Sequence, residues 1–318
     1  MNQNVNIIQE KIVVGQGTEY PLNGILTLPE HAEQPVPAVV FVHGSGSSNM
    51  DEKIYKLTPF KDLAEGLAKH GIASIRYDKR SFVYGRKMVK DKKLVITVKE
   101  ETIQDAVLAT ELLRKDSRID SEKIFIIGHS MGGMLAPRID AEGGNYSGLI
   151  LMAGSPRKLE EILMEQVEEQ MSSMKGFVKW VASKQMKKLT EPLKTIYNLS
   201  DEEAKAKKFG GGTTLYYFKE MGEHDVPSYL EKLEKPILVM QGAKDFQVKV
   251  DRDYKMYQEL LAGKTNATFK LYDNLNHVFV PAIYEDISKA KQEYKPERHI
   301  GEEVIGDIAE WIKGQSKS

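Results

Sequence analysis

Short apolar runs alternate with amphipathic stretches along most of the chain. Ile7 to Val14 and Gly24 to Leu28 predict two strands joined by a turn at Gly15-Gln16-Gly17. They resemble an antiparallel edge added to a larger sheet. Ala38-Val39-Val40-Phe41-Val42 is apolar throughout, the pattern of a strand covered on both faces. Further buried strands are predicted at Ile72 to Tyr77, Lys123 to Ile127, Leu149 to Gly154, Pro236 to Met240 and Thr268 to Tyr272. Between them lie helical patterns. One starts at Thr58 as a cap with Pro59 in the first turn, carries Phe60, Leu63, Ala64 and Leu67 on one face, and ends at Gly71. Others are expected at Glu100 to Lys115, Val250 to Leu261 and Gly301 to Gly314, while Arg86 to Lys93 reads as a basic loop.

Strands alternating with helices predict an α/β fold with a mostly parallel central sheet flanked by helices. The alternation breaks at 157–227. That stretch is helix-rich and charge-balanced, with twelve Lys/Arg and twelve Asp/Glu from Arg157 to Asp225, so it reads as solvated helices and not as a tail. Met171, Met174, Phe177, Trp180 and Val181 fall at roughly helical spacing within it. They fit either surface helices packed on the core or a lid whose flexible Met side chains line an acyl pocket. The domain reading is therefore a core of 1–156 and 228–318 with a helical cap insertion at 157–227.

The densest chemistry is Gly128-His129-Ser130-Met131-Gly132, set between the strand ending at Ile127 and the small residues Gly133-Met134-Leu135-Ala136. A G-x-S-x-G on a strand-to-helix turn predicts a nucleophile elbow. The sharp turn needs small residues two positions either side of the Ser. It also lifts the hydroxyl over the sheet edge at a helix N-terminus. A Ser hydroxyl needs a base, and the base an orienting acid. Among the histidines, His31 and His43 precede much of the sheet, His129 adjoins the nucleophile, where an elbow points its side chain elsewhere, His224 lies in the insertion and His299 at a late helix start. His277 alone sits just after the last strand, in the loop at the sheet edge where the base belongs. Asp245 follows the strand at 237–240 through a short turn and is the preferred acid. Asp251 and Asp253 read as helix-start carboxylates, and Asp273 as a turn residue. The oxyanion hole is expected from the amide of Met131 and that of Ser45, within His43-Gly44-Ser45-Gly46.

With His43-Gly44-Ser45-Gly46, Arg76-Tyr77-Asp78-Lys79-Arg80, Gly128-His129-Ser130-Met131-Gly132-Gly133, Asp245-Phe246-Gln247-Val248 and Asn276-His277 in this order, the chain resembles the α/β-hydrolase superfamily. It is similar to bacterial carboxylesterases of the serine-aminopeptidase-like and dienelactone-hydrolase-like groups, to which feruloyl and cinnamoyl esterases are related. The resemblance implies Ser130 as nucleophile, Asp245 as acid and His277 as base, acting on an ester through an acyl-serine. A peptidase or thioesterase would use the same triad, and a catalytically inactive binding module could share the fold.

Composition narrows the partners. A net charge of −1 argues against nucleic acid or an anionic membrane. With no cysteine there is no disulfide framework, thiolate metal site or Cys nucleophile. No metal-ligand spacing, dinucleotide fingerprint or P-loop occurs, so no metal and no cofactor is expected. Met1-Asn2-Gln3-Asn4-Val5-Asn6 lacks the basic and apolar segments of a secretion signal, which predicts a cytoplasmic enzyme. The expected partner is a small-molecule ester, and the chain is compatible with a homodimer.

Overall fold

The computed structural model describes residues 6–172, 174, 176–210 and 212–315, without the side chains of 177–179, 181, 182, 185 and 189. Eight strands form one sheet: β1 (Ile7–Val14), β2 (Leu22–Pro29), β3 (Val36–Val42), β4 (Ala73–Tyr77), β5 (Ile119–His129), β6 (Gly148–Met152), β7 (Ile237–Gly242) and β8 (Ala267–Tyr272). Their spatial order is β1-β2-β4-β3-β5-β6-β7-β8. β1 pairs antiparallel with β2 and β2 antiparallel with β4, and every later pair is parallel. The expected antiparallel edge is therefore present on a parallel sheet. Strand β3 shows why its sequence is apolar without alternation. Ala38, Val40 and Val42 face one buried cluster, and Val39 and Phe41 face the other.

Helix α1 (Pro59–Lys69) packs Phe60, Leu63, Ala64 and Leu67 on the second cluster, and Gly71 turns the chain at φ +79°. Thr58 makes no capping bond with its side chain, so Pro59 alone marks the start. Residues 86–93 are not a loop throughout: α2 runs Arg80–Lys90. Its basic residues hid a helix fixed by three contacts. Met88 is buried, Tyr84 Oη donates to Pro21 O at 2.8 Å, and Arg80 grips Asp105 with two nitrogens. The helix expected over 100–115 begins as a wider turn at Lys99–Ile103 before α3 (Gln104–Lys115). That over 250–261 does likewise, with a turn at Val250–Tyr254 before α10 (Lys255–Leu260).

Helix α4 (Met131–Ile139) follows β5 directly. Between β6 and β7 come α5 (Leu159–Ser172), α6 (Gly176–Thr190), α7 (Asp201–Ala206), α8 (Leu215–Glu223) and α9 (Val226–Lys232). The chain ends with α11 (Ala290–Tyr294) and α12 (Glu302–Gln315). Because β3, β5, β7 and β8 run parallel, the segments leaving their carboxyl ends emerge along one edge of the sheet. Those segments carry His43-Gly44, Ser130, Asp245 and His277.

Candidate active site

Ser130 occupies the turn between β5 and α4 at φ +53°, ψ −118°, a conformation costly for a residue with a Cβ. Its flanking glycines show how tightly the turn is drawn. A Cβ on Gly128 would lie 2.2 Å from the carbonyl oxygen of Gly132, and one on Gly132 would lie 2.1 Å from that of Val42. No side chain fits at either place. The Ser130 amide donates to Met152 O at 2.9 Å, and Met131 opens the helix with an amide that has no partner within it.

His277 and Asp245 meet. His277 Nδ1 stands 2.7 Å from Asp245 Oδ2, and both side chains are buried. Asp245 also accepts from Gln241 Nε2 at 2.9 Å and from the amides of Gln247 and Val248 at 2.7 and 3.0 Å. Four donors thus converge on one carboxylate, whose two oxygens can accept them all. The loop bearing His277 closes onto β7 where Gly242 leaves room: a Cβ there would lie 2.4 Å from Leu275 O. Buried Asn276 braces that loop, accepting from the Val278 and Val280 amides and donating to Glu293 at 2.6 Å. Asp273 is exposed and Asp245 is not, so the acid facing His277 is Asp245. Among the described residues, no hydrogen bond joins Ser130 Oγ to His277. Ser45 is exposed on the loop after β3, and Gly44 runs so close to Ser130 that a Cβ on it would lie 3.1 Å from Ser130 Cβ.

Residues 33–280, which include Ser45, Ser130, Asp245 and His277, match the model of the serine aminopeptidase S33 family. The chain belongs to that family, within the α/β-hydrolase superfamily. It is 33% identical over 291 residues to the esterase EstD of Thermotoga maritima, a match covering 92% of this chain and 65% of that relative's length. The fold is shared with an esterase of Pyrococcus furiosus (TM-score 0.57, 16% identity, 97% of this chain and 91% of that one). It is shared to the same TM-score and identity with Est1E of Butyrivibrio proteoclasticus, over 97% and 99% of the two chains.

In this S33-family chain the elbow residue His129, set aside as a candidate base, forms a second buried pair with Glu52. His129 Nε2 donates to His277 O at 2.9 Å, and its Nδ1 stands 2.9 Å from Glu52 Oε2, off the line of a hydrogen bond. Burial is the largest influence and opposes a charge on His129, but the Glu52 carboxylate, the bond to the His277 carbonyl and the Asp245 charge together raise the His129 pKa. Glu52 itself sits at φ +50° and accepts the Gly44 amide at 2.7 Å. The pair therefore ties the loop after β3 to the loop carrying His277. The only sequence signal was a carboxylate shortly after His43-Gly44.

His43 does different work. Its Nε2 faces Asn49 O at 3.0 Å, and its ring packs on Phe60 and Tyr77, which closes the loop 43–49. Burial drives its pKa down to about 4. Between pH 6.5 and 4 the unfolded chain binds a proton here that the folded protein refuses, so stability is expected to fall with pH across that window. The full depression corresponds to about 3 kcal/mol. The acid loss of stability should shrink by up to that amount in His43→Phe, measured by urea unfolding at pH 7 and pH 4. An equal loss in both proteins would show that the buried ring accepts the proton.

The start of the segment between β6 and β7 is pinned to the turn that follows β7. Asp253 is fully buried and accepts from Ser155 Oγ, Arg157 and the Lys249 amide. It stands in the first turn at Val250–Tyr254, as its place in the sequence predicts, and from there also ties down Ser155 and Arg157. Helix α8 packs Tyr217, Phe218 and Met221 into the same cluster as Met131 and Met134. Met171 and Met174 are half-buried and Trp180 is 54% exposed, while the side chains of Phe177 and Val181 lie outside those described. A hollow of about 620 Å³ lies beside Asp245, lined by Glu169, Lys244 and Lys249 among others. Neither Ser130 nor His277 lines it, so it is not where an acyl group on Ser130 would sit. Among the described residues, no group of three or more His, Asp or Glu could hold a metal ion, and no helix is long and apolar enough to cross a membrane.

Proposed function

We propose that the protein is a serine carboxylesterase that hydrolyses small or short-acyl esters through an acyl-Ser130 intermediate. The observation that carries this reading is the buried Asp245–His277 bond at 2.7 Å on the sheet edge where strained Ser130 emerges. Asp245 keeps the proton on Nδ1, so the Nε2 lone pair is free to take the Ser130 proton. Ser130 Oγ attacks the ester carbon, and the resulting oxyanion is received by the amides of Met131 and Ser45. His277 returns the proton to the leaving alcohol, then takes one from the water that releases the acid. A bound ester draws the hydroxyl and imidazole into line, since catalytic hydrogen bonds often tighten only with substrate. The esterase activity named for the Thermotoga maritima relative supports the choice of ester.

The insertion at 157–227 acts in this proposal as a cap over Ser130. It leaves the sheet after β6, the neighbour of β5, and Tyr217 reaches to 3.6 Å from Met131 Sδ. A cap bounds the acyl pocket. Each buried methylene contributes about 0.8 kcal/mol, or about fourfold in kcat/KM, until the pocket is full. Activity on aryl esters should therefore climb from acetate, peak by hexanoate and fall beyond. Maximal activity on palmitate would sink the short-chain reading. A cytoplasmic site of action belongs to the same proposal.

The family's description favours one second reading, an aminopeptidase. One panel separates them: aryl esters from acetate to palmitate, a feruloyl ester and an amino-acid arylamide, with fluorophosphonate labelling of the intact protein and of Ser130→Ala. Faster turnover of the arylamide than of any ester would make the protein a peptidase. Failure to label would leave a binding module on this fold.

A further inference from the structure

Lys79 takes no part in the proton transfers above, yet its side chain is only 2% exposed. It follows β4 in the run Arg76-Tyr77-Asp78-Lys79-Arg80. Its Nζ donates to the carbonyl oxygens of Gly44 at 2.9 Å and Gly46 at 3.0 Å. Glu101 supplies the counter-charge 3.3 Å away through one carboxylate oxygen, and the other accepts Tyr217 Oη at 2.7 Å. A buried ammonium is costly to desolvate unless it is paired and fully hydrogen-bonded. Neutral donors would close a loop without that cost, so the charge itself asks for an explanation.

The geometry of the peptide group supplies one. The Gly44 carbonyl and the Ser45 amide are the two ends of one planar unit, and in the trans form they point in opposite directions. A cation gripping the oxygen therefore fixes where the Ser45 N–H points. It also polarises the unit, which makes that N–H a stronger donor. On the other side of Gly44, Glu52 holds the Gly44 amide at 2.7 Å, so that amide is not free for substrate. Both peptides flanking Gly44 are thus held from behind, and the Ser45 amide is left to donate forward.

We propose that Lys79 is a positioning residue of the oxyanion hole: with Glu101 as its counter-ion, it holds and polarises the Gly44–Ser45 peptide so that the Ser45 amide meets the developing oxyanion. This rests on Ser130 being the nucleophile. The ion pair reaches Tyr217 of α8, so the hole and the insertion share one buried network.

Lys79→Met should lower kcat on a short aryl ester by about tenfold to a hundredfold, somewhat less than removal of a donor itself, with KM within about twofold. Affinity for a trifluoromethyl ketone, whose bound adduct carries the oxyanion, should fall by the same factor as kcat/KM. Lys79→Met strands Glu101, so Lys79→Met/Glu101→Gln, which leaves no buried charge alone, is measured beside it and should show the same loss. A folded double variant with wild-type kcat overturns the proposal, and so does a fall in kcat with unchanged ketone affinity. Ser130→Ala separates the two levels of the argument. If it keeps activity, the serine mechanism fails. If Ser130 is essential and the double variant matches wild type, only the assignment of Lys79 falls.

Discussion

Ser130→Ala is expected to lower kcat on a short aryl ester by about 10⁴–10⁶-fold and to leave the fold standing. The two halves of that expectation have separate causes. In the proposed mechanism the rate falls because the hydroxyl forms the acyl intermediate, and what remains is binding and the oxyanion amides. The fold survives because the turn is set by its neighbours. Gly128 and Gly132 make the close approaches, and the Ser130 amide keeps its bond to Met152 O. Alanine has the same Cβ, so the strain at φ +53° is unchanged. The hydroxyl makes no hydrogen bond among the described residues, so its removal orphans no buried partner. Stability should move by less than about 0.5 kcal/mol. Ser130→Gly, which relieves the strained φ, should be more stable than Ser130→Ala by about 1 kcal/mol or more. Steady-state kinetics and urea unfolding on the purified variants check both halves. Retention of more than about a tenth of wild-type kcat would remove Ser130 from the mechanism.

The parts of this architecture that could be read from sequence are those with local signals. Strands buried on both faces announce themselves as unbroken apolar runs, as in Ala38 to Val42. The elbow carries its own steric code in two glycines. Asp245 and His277 lie far apart in the chain, but each follows a strand, and parallel pairing puts those strand ends on one edge. What escaped is what only the tertiary fold brings together. Lys79 meets loop carbonyls more than thirty positions earlier, and Tyr217 meets Glu101 across 116. No period or motif marks such pairs. Glu52 sits in a loop at positive φ, where nothing local calls for a carboxylate. His129 is turned away from Ser130 by the elbow, and its ring reaches Glu52 and the backbone of His277 instead. Helix α2 was hidden because its anchors are one methionine, one tyrosine hydroxyl and one arginine pair, too few for an apolar stripe.

Asp245→Asn is expected to lower kcat by about 10⁴-fold with a much smaller change in KM. The hydrogen bonds around the carboxylate decide the outcome. Its Oδ1 accepts the amides of Gln247 and Val248, which cannot turn away because they belong to the backbone. An asparagine must keep its one carbonyl oxygen there, since its amide nitrogen would set donor against donor. The NH₂ then occupies the place of Oδ2 and faces His277 Nδ1, 2.7 Å away in the native protein, and Gln241 Nε2. Gln241 Nε2 also donates to the carbonyls of Gly242 and Val248, so its amide cannot flip without setting oxygen against oxygen, and this bond is lost. His277 can accept only by giving up the proton on Nδ1, which moves it to Nε2. That is the nitrogen meant to take the proton from Ser130, so the base is lost while the ring stays in place. The substituted side chain keeps most of its bonds, and the stability cost should be about 1–3 kcal/mol. Asp273 supplies the contrast. It is exposed in the turn after β8 with no bond to the imidazole among the described residues, so Asp273→Asn should stay within about twofold of wild type. Steady-state kinetics on the pair give a direct reading. If Asp273→Asn is the crippled variant and Asp245→Asn the active one, the acid has been misplaced, and the hydrogen bond at 2.7 Å serves only to hold the loop.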